Sequence, residues 1–243
     1  MRPRLQNSAA PLARFCLAPE YIGGALLAAG GRVNAAKRPT INVWDLHRES
    51  CVAQLSAASN PAPECAPIDH LAVARSSPVM YAADTSGLVL IYDLRSPAQV
   101  GSLQPLKEQR LAGMASEPGR VEHQLVLGYR SGSISFVDCR MVGSRLQSSL
   151  HRTIEGHSKG DMTTLSSHRH APLFATATAS QVVKVWSMRG EQVAVVRAHT
   201  SFLSQRIGPV TCLAFAPYGL NLCSGGLDKL CAIYSLDLGA RVP

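Results

Sequence analysis

The sequence predicts an all-β chain, a β-propeller of about five four-stranded blades, on three observations. Five short segments with alternating apolar residues recur at intervals of 45 to 49 residues, measured between their fourth positions. Two more strand-like runs precede the recurring segment in most periods, and a Gly-, Ser- or Asp-containing turn often leads into it. No helical periodicity of useful length interrupts the pattern. Four short antiparallel strands per period of about 45 residues are typical of a propeller blade.

Each recurring segment is predicted to be the third strand of its blade. The segments alternate apolar residues and end in a polar residue followed by an apolar one. A bulky residue at the fourth position is expected to fill the space between neighbouring blades. The segments are INVWDL (41–46), VLIYDL (89–94), ISFVDC (134–139), VKVWSM (183–188) and CAIYSL (231–236), with Trp44, Tyr92, Val137, Trp186 and Tyr234 at the fourth positions.

The first, second and fourth strands of the blades are predicted from the runs around these segments. First strands are runs such as IDHLAVA, DMTTLSS and PVTCLAF, and second strands are runs such as VMYAAD, QLVLGY, LFATAT and LNLCSG. Fourth strands are CVAQL, AQVGSL, LHRTI and EQVAVV. The prediction is therefore a propeller over residues 12–237. Its blades lie at 12–55, 68–103, 111–154, 161–197 and 209–236, with an unstructured segment or fragment edge at 1–11 and a C-terminal tail at 238–243.

The last predicted blade lacks its outer strand. Only DLGARVP follows residue 236, which leaves no room for a turn and a fourth strand. Propellers commonly close with a strand from the N-terminal end, and residues 1–10 are a poor strand. We therefore expect this chain to be the C-terminal part of a longer protein or a truncated gene model.

The composition is that of a globular protein, with 46% hydrophobic and 16% charged residues. The net charge of +8 raises the question of a nucleic-acid partner. The basic residues are scattered, however, and no aromatic-rich RNA-binding motif is present, so we expect no nucleic-acid binding.

The Arg-rich N-terminus also resembles a weak transit peptide, but a cytosolic protein is the simpler interpretation. The apolar run at 22–30 is too short to span a bilayer.

The seven cysteines are odd in number and include no C-x-x-C pair. Cys51, Cys212, Cys223 and Cys231 lie in apolar, strand-like runs, which predicts buried free thiols in a reducing compartment.

Two residue pairs identify the type of blade. Trp44-Asp45 and Gly156-His157 are signature pairs of WD40 repeats. No blade carries a complete His, Ser/Thr, Trp and Asp set, because the turn before Trp186 reads ATASQ and has no Asp. The residues assigned to the blade signature are Trp44, Asp45, Tyr92, Asp93, Asp138, His157, Trp186, Asp228 and Tyr234.

Two longer stretches resemble the Raptor family, the regulatory subunits that partner the TOR kinase. They are TTLSSHRHAPLFATATASQVVKVWSMRGEQV (163–193) and AHTSFLSQRIGPVTCLAFAPYGLNLCSGGLDKLCAIYSLD (198–237). The runs DLRSP (93–97) and FVDCR (136–140) fit the same family's earlier blades. The resemblance covers most of residues 20–237 and is strongest from about residue 150 onward.

The resemblance implies a non-catalytic scaffold of TOR complex 1 that supports protein docking in nutrient-responsive growth control. The implied partners are TOR kinase and the other subunits of that complex, so the chain would be part of a larger assembly. The implied location is cytoplasmic, including the lysosome or vacuole surface, with no integral membrane segment and no cofactor. Members of the family have a seven-bladed propeller after a caspase-like region and helical repeats, and this chain would lack those earlier regions.

The histidines at 168 and 170 are the first candidate for chemistry. Residues at i and i+2 of an extended segment point the same way and could be two zinc ligands. A closed zinc site needs about four ligands, and the nearest further candidates, His151, His157 and Asp161, lack a typical metal spacing. The alternative is that SHRHAP is the turn between the first and second strands of a blade. We expect no metal site.

No catalytic or cofactor-binding residue is predicted. His157, Ser158 and Asp161 could suggest a triad, but no nucleophile elbow accompanies them and no phosphate-binding loop occurs. A loop histidine that organises a blade explains His157 more simply.

The loop at 198–208 is the predicted protein-interaction site, because it is longer than a hairpin needs. Its candidate contact residues are Phe202, Leu203, Gln205 and Arg206. The alternative is that Phe202 packs back over its own blade. Two other functions stay open: an unrelated WD40 adaptor, such as a ubiquitin-ligase substrate receptor or a trafficking subunit, and a hydrolase or metalloenzyme built on a propeller.

Overall fold

A computed structural model describes residues 14–18, 26–30, 40–56, 67–95, 98–107, 109–142, 145–197 and 208–235. Within these ranges the regular structure consists of 19 β-strands and one short 3-10 turn, Pro118–Arg120. No helix in this part of the chain is long and apolar enough to cross a membrane. Contacts divide the chain into two compact units, one formed by 1–111 with 138–149 and the other by 112–137 with 150–243.

The first two sheets belong to the first unit. In each sheet four strands pair in chain order, every strand antiparallel to the next. The first sheet contains β1 (Arg14–Ala18), β2 (Leu26–Gly30), β3 (Thr40–Asp45) and β4 (Ser50–Ser56). The second contains β5 (Ile68–Val73), β6 (Val79–Asp84), β7 (Val89–Asp93) and β8 (Ala98–Leu103).

The remaining strands form three further sheets, again in chain order. The third sheet contains β9 (Leu111–Ser116), β10 (Gln124–Tyr129), β11 (Ser133–Val142) and β12 (Arg145–Glu155). The fourth contains β13 (Met162–Ser167), β14 (Leu173–Thr178), β15 (Val182–Ser187) and β16 (Gln192–Arg197). The fifth has three strands within the described residues, β17 (Val210–Phe215), β18 (Asn221–Gly226) and β19 (Cys231–Ser235).

The strands that are buried along their whole length consist of apolar or small residues, apart from Asp84 and Asp93 at two strand ends. Every residue of β6, β7 and β14 is buried. A strand covered on both faces needs no polar alternation, which explains runs such as VMYAAD and LFATAT. The outermost strand of the fourth sheet, β16, is largely exposed along its length.

Register shifts recur at the same place in successive sheets. In the second, fourth and fifth sheets one lies near the start of the first strand, between Ile68 and His70, Met162 and Thr164, and Val210 and Cys212. A second shift lies just before the bulky residue of the third strand, between Val43 and Trp44, Ile91 and Tyr92, and Val185 and Trp186. A β-bulge re-aims the side chains beside it, so equivalent bulges give the blades a common geometry.

Hydrophobic clusters join successive sheets within each unit. In the first unit, side chains of the first and second sheets pack together: Ile41, Val43, Leu55, Ile68, Met80, Ala82, Leu90 and Tyr92. In the second unit, Phe136 of the third sheet packs with Phe174 and Trp186 of the fourth. Val183 and Val185 of the fourth sheet pack with Val210 and Leu222 of the fifth. Each blade therefore buries a face against its neighbour in the same unit.

The prediction that the strand cysteines are buried is wrong for most of them. Cys51, Cys212 and Cys231 are exposed and Cys223 is partly exposed. For the three cysteines of the fifth sheet the physical reason is an uncovered sheet face, because Ile233, on the same face as Cys231, is 76% exposed. An apolar strand run shows that a face can be buried but not whether a neighbour covers it.

Among the five cysteines whose exposure the structure describes, Cys139 alone is buried. Burial raises the pKa of its thiol to about 12, with a smaller contribution from the nearby negative charge of Asp138; a hydrogen bond with Tyr81 acts in the opposite direction. A thiol with so high a pKa stays protonated at neutral pH and is a poor nucleophile.

Candidate functional site

A buried hydrogen-bonded group of three side chains lies in the fourth sheet. The indole Nε1 of Trp186 donates to the hydroxyl of Thr176 at 2.8 Å, and the same hydroxyl contacts Nε2 of His157 at 2.8 Å. The rings of His157 and Trp186 meet edge to face, with centroids 6.4 Å apart. Because the hydroxyl accepts from Trp186, its own proton can be donated to a neutral His157 ring. The three side chains thus connect the loop that precedes β13 to the second and third strands of the blade, β14 and β15.

Backbone contacts hold His157 in place before β13 begins. The amides of Gly156 and His157 both donate to the carbonyl of Gly132, each at 3.0 Å. Gly132 has φ +94°, and a Cβ there would lie 2.0 Å from the carbonyl oxygen of His157. The position therefore requires glycine. Nζ of Lys184 donates to the carbonyl of Gly156 at 2.7 Å, which fixes the same loop from the side of β15.

The environment of His157 favours its neutral form. Burial, together with a smaller repulsion from the charge of Lys184, lowers the pKa of His157 to about 4. The ring is only 5% exposed and its Nε2 is engaged by Thr176. At neutral pH His157 is therefore an uncharged structural group. Its Nε2 is engaged in the hydrogen bond with Thr176, so this nitrogen is not free to act as a base.

The turn between β14 and β15 is closed by a threonine hydroxyl in place of an aspartate. Oγ1 of Thr178 accepts from the amide of Val182 at 3.2 Å and contacts the hydroxyl of Ser180 at 2.9 Å. At the equivalent place in the second sheet, Oδ1 of Asp84 accepts from the amides of Ser86 and Leu88 at 2.8 and 3.0 Å. Hydroxyl and carboxylate both satisfy turn amides, although the carboxylate accepts more bonds.

The sequence interpretation missed Thr176 and Thr178. Thr176 lies ten residues before Trp186, and in the fifth sheet Ser224 lies at the same distance before Tyr234. The hydroxyls of Ser224 and Tyr234 are 3.3 Å apart, so the pair repeats the Thr176–Trp186 contact. A small hydroxyl residue ten positions before the bulky residue is the signal that could have identified Thr176 and Ser224, whereas Thr178 lies eight positions before Trp186 and does not fit it.

The aspartates that follow the bulky residues organise the next turn. Oδ1 of Asp45 accepts from the amides of His47 and Arg48 at 2.9 and 3.1 Å. Oδ1 of Asp93 accepts from the amide of Arg95, and its Oδ2 lies 2.7 Å from that residue's Nη2. The Arg95 side chain lowers the pKa of Asp93.

The other predicted signature residues differ in their polar contacts and in their burial. Asp138 pairs with the exposed Arg140 at 2.9 Å. Asp228 accepts from the amide of Leu230 at 3.1 Å. Tyr92 is buried, whereas Trp44 is only partly buried.

The two histidines of the SHRHAP segment lie in the turn between β13 and β14, as the sequence predicts for the non-metal alternative. Their rings contact different neighbours. His168 is buried, and its ring meets that of Phe215 edge to face with centroids 5.4 Å apart. His170 stacks on Tyr218 with ring centroids 5.8 Å apart, and Tyr218 is 87% exposed. Both histidines line an open hollow of about 390 Å³ between this turn and the β17–β18 turn.

The predicted interaction residues of the 198–208 loop, Phe202, Leu203, Gln205 and Arg206, lie outside the described residues. They stay predictions. Within the described ranges, no three His, Cys, Asp or Glu side chains are grouped so that they could hold a metal ion. The polar groups that are brought together serve turns and blade contacts.

The sequence matches known WD40 repeats and Raptor proteins. The family model "WD domain, G-beta repeat" matches residues 148–187 and 190–235. "Regulatory-associated protein of TOR 1" from Arabidopsis thaliana is 34% identical over 200 residues, which cover 82% of this chain. "Target of rapamycin complex 1 subunit mip1" from Schizosaccharomyces pombe is 28% identical over 203 residues, or 80% of this chain. The chain is a WD40-repeat relative of Raptor.

The Raptor relatives are much longer than this chain, which spans 14% of the length of each of these two proteins. A solved structure of U3-55K matches with a TM-score of 0.73 at 17% identity, over 96% of this chain and 63% of that one. At this identity the match shows the fold alone. It confirms the predicted all-β propeller class, whereas the seven-blade count of the Raptor family stays a prediction.

Proposed function

We propose that this chain is a non-catalytic docking scaffold of a Raptor-like subunit of TOR complex 1, acting in nutrient-responsive growth control. The observation that carries the proposal is the 34% identity over 200 residues with the Arabidopsis thaliana protein named for its association with TOR. The Schizosaccharomyces pombe relative is named as a subunit of the same complex.

The use of polar groups in the fourth sheet supports a scaffold. His157, Thr176 and Trp186 satisfy one another in the blade interior. Residues that act as acids or bases need a reachable atom and a pKa near the working pH. The low pKa of His157 and its engaged Nε2 fit a group that fixes the blade.

Affinity purification from the organism's own cells tests the proposal. The complete gene product carries a tag at its chromosomal locus, and the eluate is analysed by mass spectrometry. We expect TOR kinase in the eluate at an amount comparable with the tagged protein. An eluate without TOR kinase would contradict the proposal. Ubiquitin-ligase or trafficking subunits in its place would favour a free-standing WD40 adaptor.

A matched pair of variants asks whether the folded blade is needed. Thr176→Ser keeps a hydroxyl between His157 and Trp186, whereas Thr176→Val removes it at almost constant volume. We expect recovery of TOR kinase per tagged protein to be retained with Ser and reduced with Val. Equal recovery from both variants would show that docking does not depend on the buried hydroxyl of Thr176.

We also propose a cytoplasmic location that includes the lysosome or vacuole surface. A fluorescent tag at the same locus would report it, with nutrient supply and withdrawal as the two conditions. A signal confined to the nucleus or to a secretory compartment would contradict this location.

A further inference from the structure

His168 makes two hydrogen bonds that reach neighbouring turns. Its carbonyl oxygen accepts from the amide of Gly119, in the turn between β9 and β10, at 3.1 Å. Its ring nitrogen Nε2 lies 3.0 Å from the carbonyl oxygen of Gly219, in the turn between β17 and β18. His168 itself lies in the turn between β13 and β14. One residue thus connects the corresponding turns of three successive sheets.

The contacts of the other ring nitrogen decide which nitrogen carries the hydrogen. The amides of His170 and Ala171 both donate to Nδ1 of His168, at 3.0 and 2.7 Å. A nitrogen that accepts from two amides holds no hydrogen of its own, so in the neutral ring the hydrogen is on Nε2. Nε2 therefore donates to the carbonyl oxygen of Gly219.

The surroundings of His168 are packed closely enough to hold this arrangement. The ring is 4% exposed and lies against Phe215 of β17. On the other side, a Cβ on Gly119 would lie 2.3 Å from the backbone of Ala171 and Pro172. The turn of the third sheet therefore approaches the His168 turn at backbone contact distance.

We propose that His168 is a latch that holds the turns of the third, fourth and fifth sheets together, with Nδ1 fixing its own turn and Nε2–H holding the fifth sheet. The same bond keeps the two turns that line the hollow at a fixed separation. One of these turns carries His170 and the other carries Tyr218. Loss of the Nε2 contact frees the β17–β18 hairpin to move away from the fourth sheet and opens the hollow. This role is independent of the proposed place in TOR complex 1.

Two substitutions test the Nδ1 contacts and the Nε2 contact of His168 separately. Asn places its side-chain oxygen near the position of Nδ1, so His168→Asn keeps an acceptor for the turn amides but cannot reach Gly219. Gln places its amide nitrogen near the position of Nε2, so His168→Gln keeps the donor to Gly219 but loses the turn acceptor. His170→Ala is the matched control, because it removes a histidine from the same turn and the same hollow.

Hydrogen exchange followed by mass spectrometry on the full chain measures the effect of each variant. In His168→Asn we expect amides of the β17–β18 hairpin to exchange roughly threefold to tenfold faster, the factor that one neutral hydrogen bond corresponds to. In His168→Gln we expect faster exchange in residues 168–173 and near-normal exchange in the hairpin. His170→Ala removes only the stacking contact with the exposed Tyr218 ring and should loosen the hairpin less than His168→Asn does. Equal exchange patterns in the Asn and Gln variants, or a hairpin loosened as much by His170→Ala, would overturn the latch.

The tautomer of the unmodified protein gives a second measurement that does not depend on the folding of any variant. Nitrogen chemical shifts of the His168 ring at neutral pH should show hydrogen on Nε2 and a bare Nδ1. A ring with hydrogen on Nδ1 would overturn the proposal even if every variant failed to fold.

Discussion

The indole of Trp186 and the hydroxyl of Thr176 are joined by a 2.8 Å hydrogen bond inside the fourth sheet. Trp186 is 5% exposed and stacks on Phe174 with ring centroids 6.4 Å apart. The same hydroxyl contacts His157. The stability of the second unit therefore depends both on the volume of the indole and on its single donor.

Replacement of Trp186 by alanine should destabilise the chain by about 3–5 kcal/mol, the usual cost of truncating a buried aromatic side chain. Calorimetry should show the transition of the second unit lowered by several degrees. Trp186→Phe keeps an aromatic ring but loses the N–H and part of the buried indole volume, so its cost should be intermediate, about 2–3 kcal/mol. A melting shift below about 2 °C for the alanine variant would contradict the blade assignment.

Thr176→Val should cost about 2–3 kcal/mol, because it leaves the indole N–H and His157 Nε2 buried without their partner. Thr176→Ser restores a hydroxyl and should recover most of that loss. The two variants differ little in volume from the natural residue, so denaturant titration reports mainly the hydrogen bonds. If Val proved no more destabilising than Ser, the hydrogen bonds of the hydroxyl would not be the dominant contribution of Thr176.

The sequence predicted the repeat well because the feature that repeats is local. Alternation, a bulky fourth residue and a turn before it are visible within one strand, and the five segments coincide with β3, β7, β11, β15 and β19. The side-chain network was less visible. Thr176 is an ordinary strand residue by composition, and only its distance from Trp186 marks it.

The contacts of His168 could not be predicted for a different reason. Its partner Gly219 lies 51 residues further along the chain and contributes a backbone oxygen, which leaves no trace in the side-chain pattern. The exposure of Cys212 and Cys231 was misjudged because a strand sequence does not reveal whether its sheet face is covered. Contacts between blades are therefore the part of the structure that the sequence pattern does not predict.

Stability should fall in mildly acidic solution through His157. Burial, aided by Lys184, lowers the pKa of the folded ring from 6.5 to about 4, whereas the unfolded ring keeps its ordinary pKa near 6.5. As the pH falls below 6.5 the unfolded state binds the proton first, so the stabilisation is complete above that pH and is lost towards pH 4. The total loss over this window approaches about 3 kcal/mol.

Denaturant titrations between pH 8 and about pH 4 should show this slope in the natural protein. His157→Gln cannot titrate and keeps a polar atom within reach of Thr176, so it should be less stable at pH 8 but flatter across the window. The other histidines are the same in both proteins and cancel in the difference. Identical slopes for the two proteins would assign the acid sensitivity to other groups.

Gly132→Ala should destabilise the second unit by at least about 2 kcal/mol, because the new Cβ would meet the His157 carbonyl oxygen and the residue has φ +94°. The carbonyl of Gly132 also accepts from the amides of Gly156 and His157, so any shift of its backbone disturbs the loop that carries the histidine. Gly219→Ala is the matched control, since the nearest atom to its added Cβ is 3.9 Å away and its φ is not positive. The control should change stability by no more than about 0.5 kcal/mol. Thermal unfolding of the two variants under one buffer condition compares them directly, and similar losses would refute the close approach of Gly132 to His157.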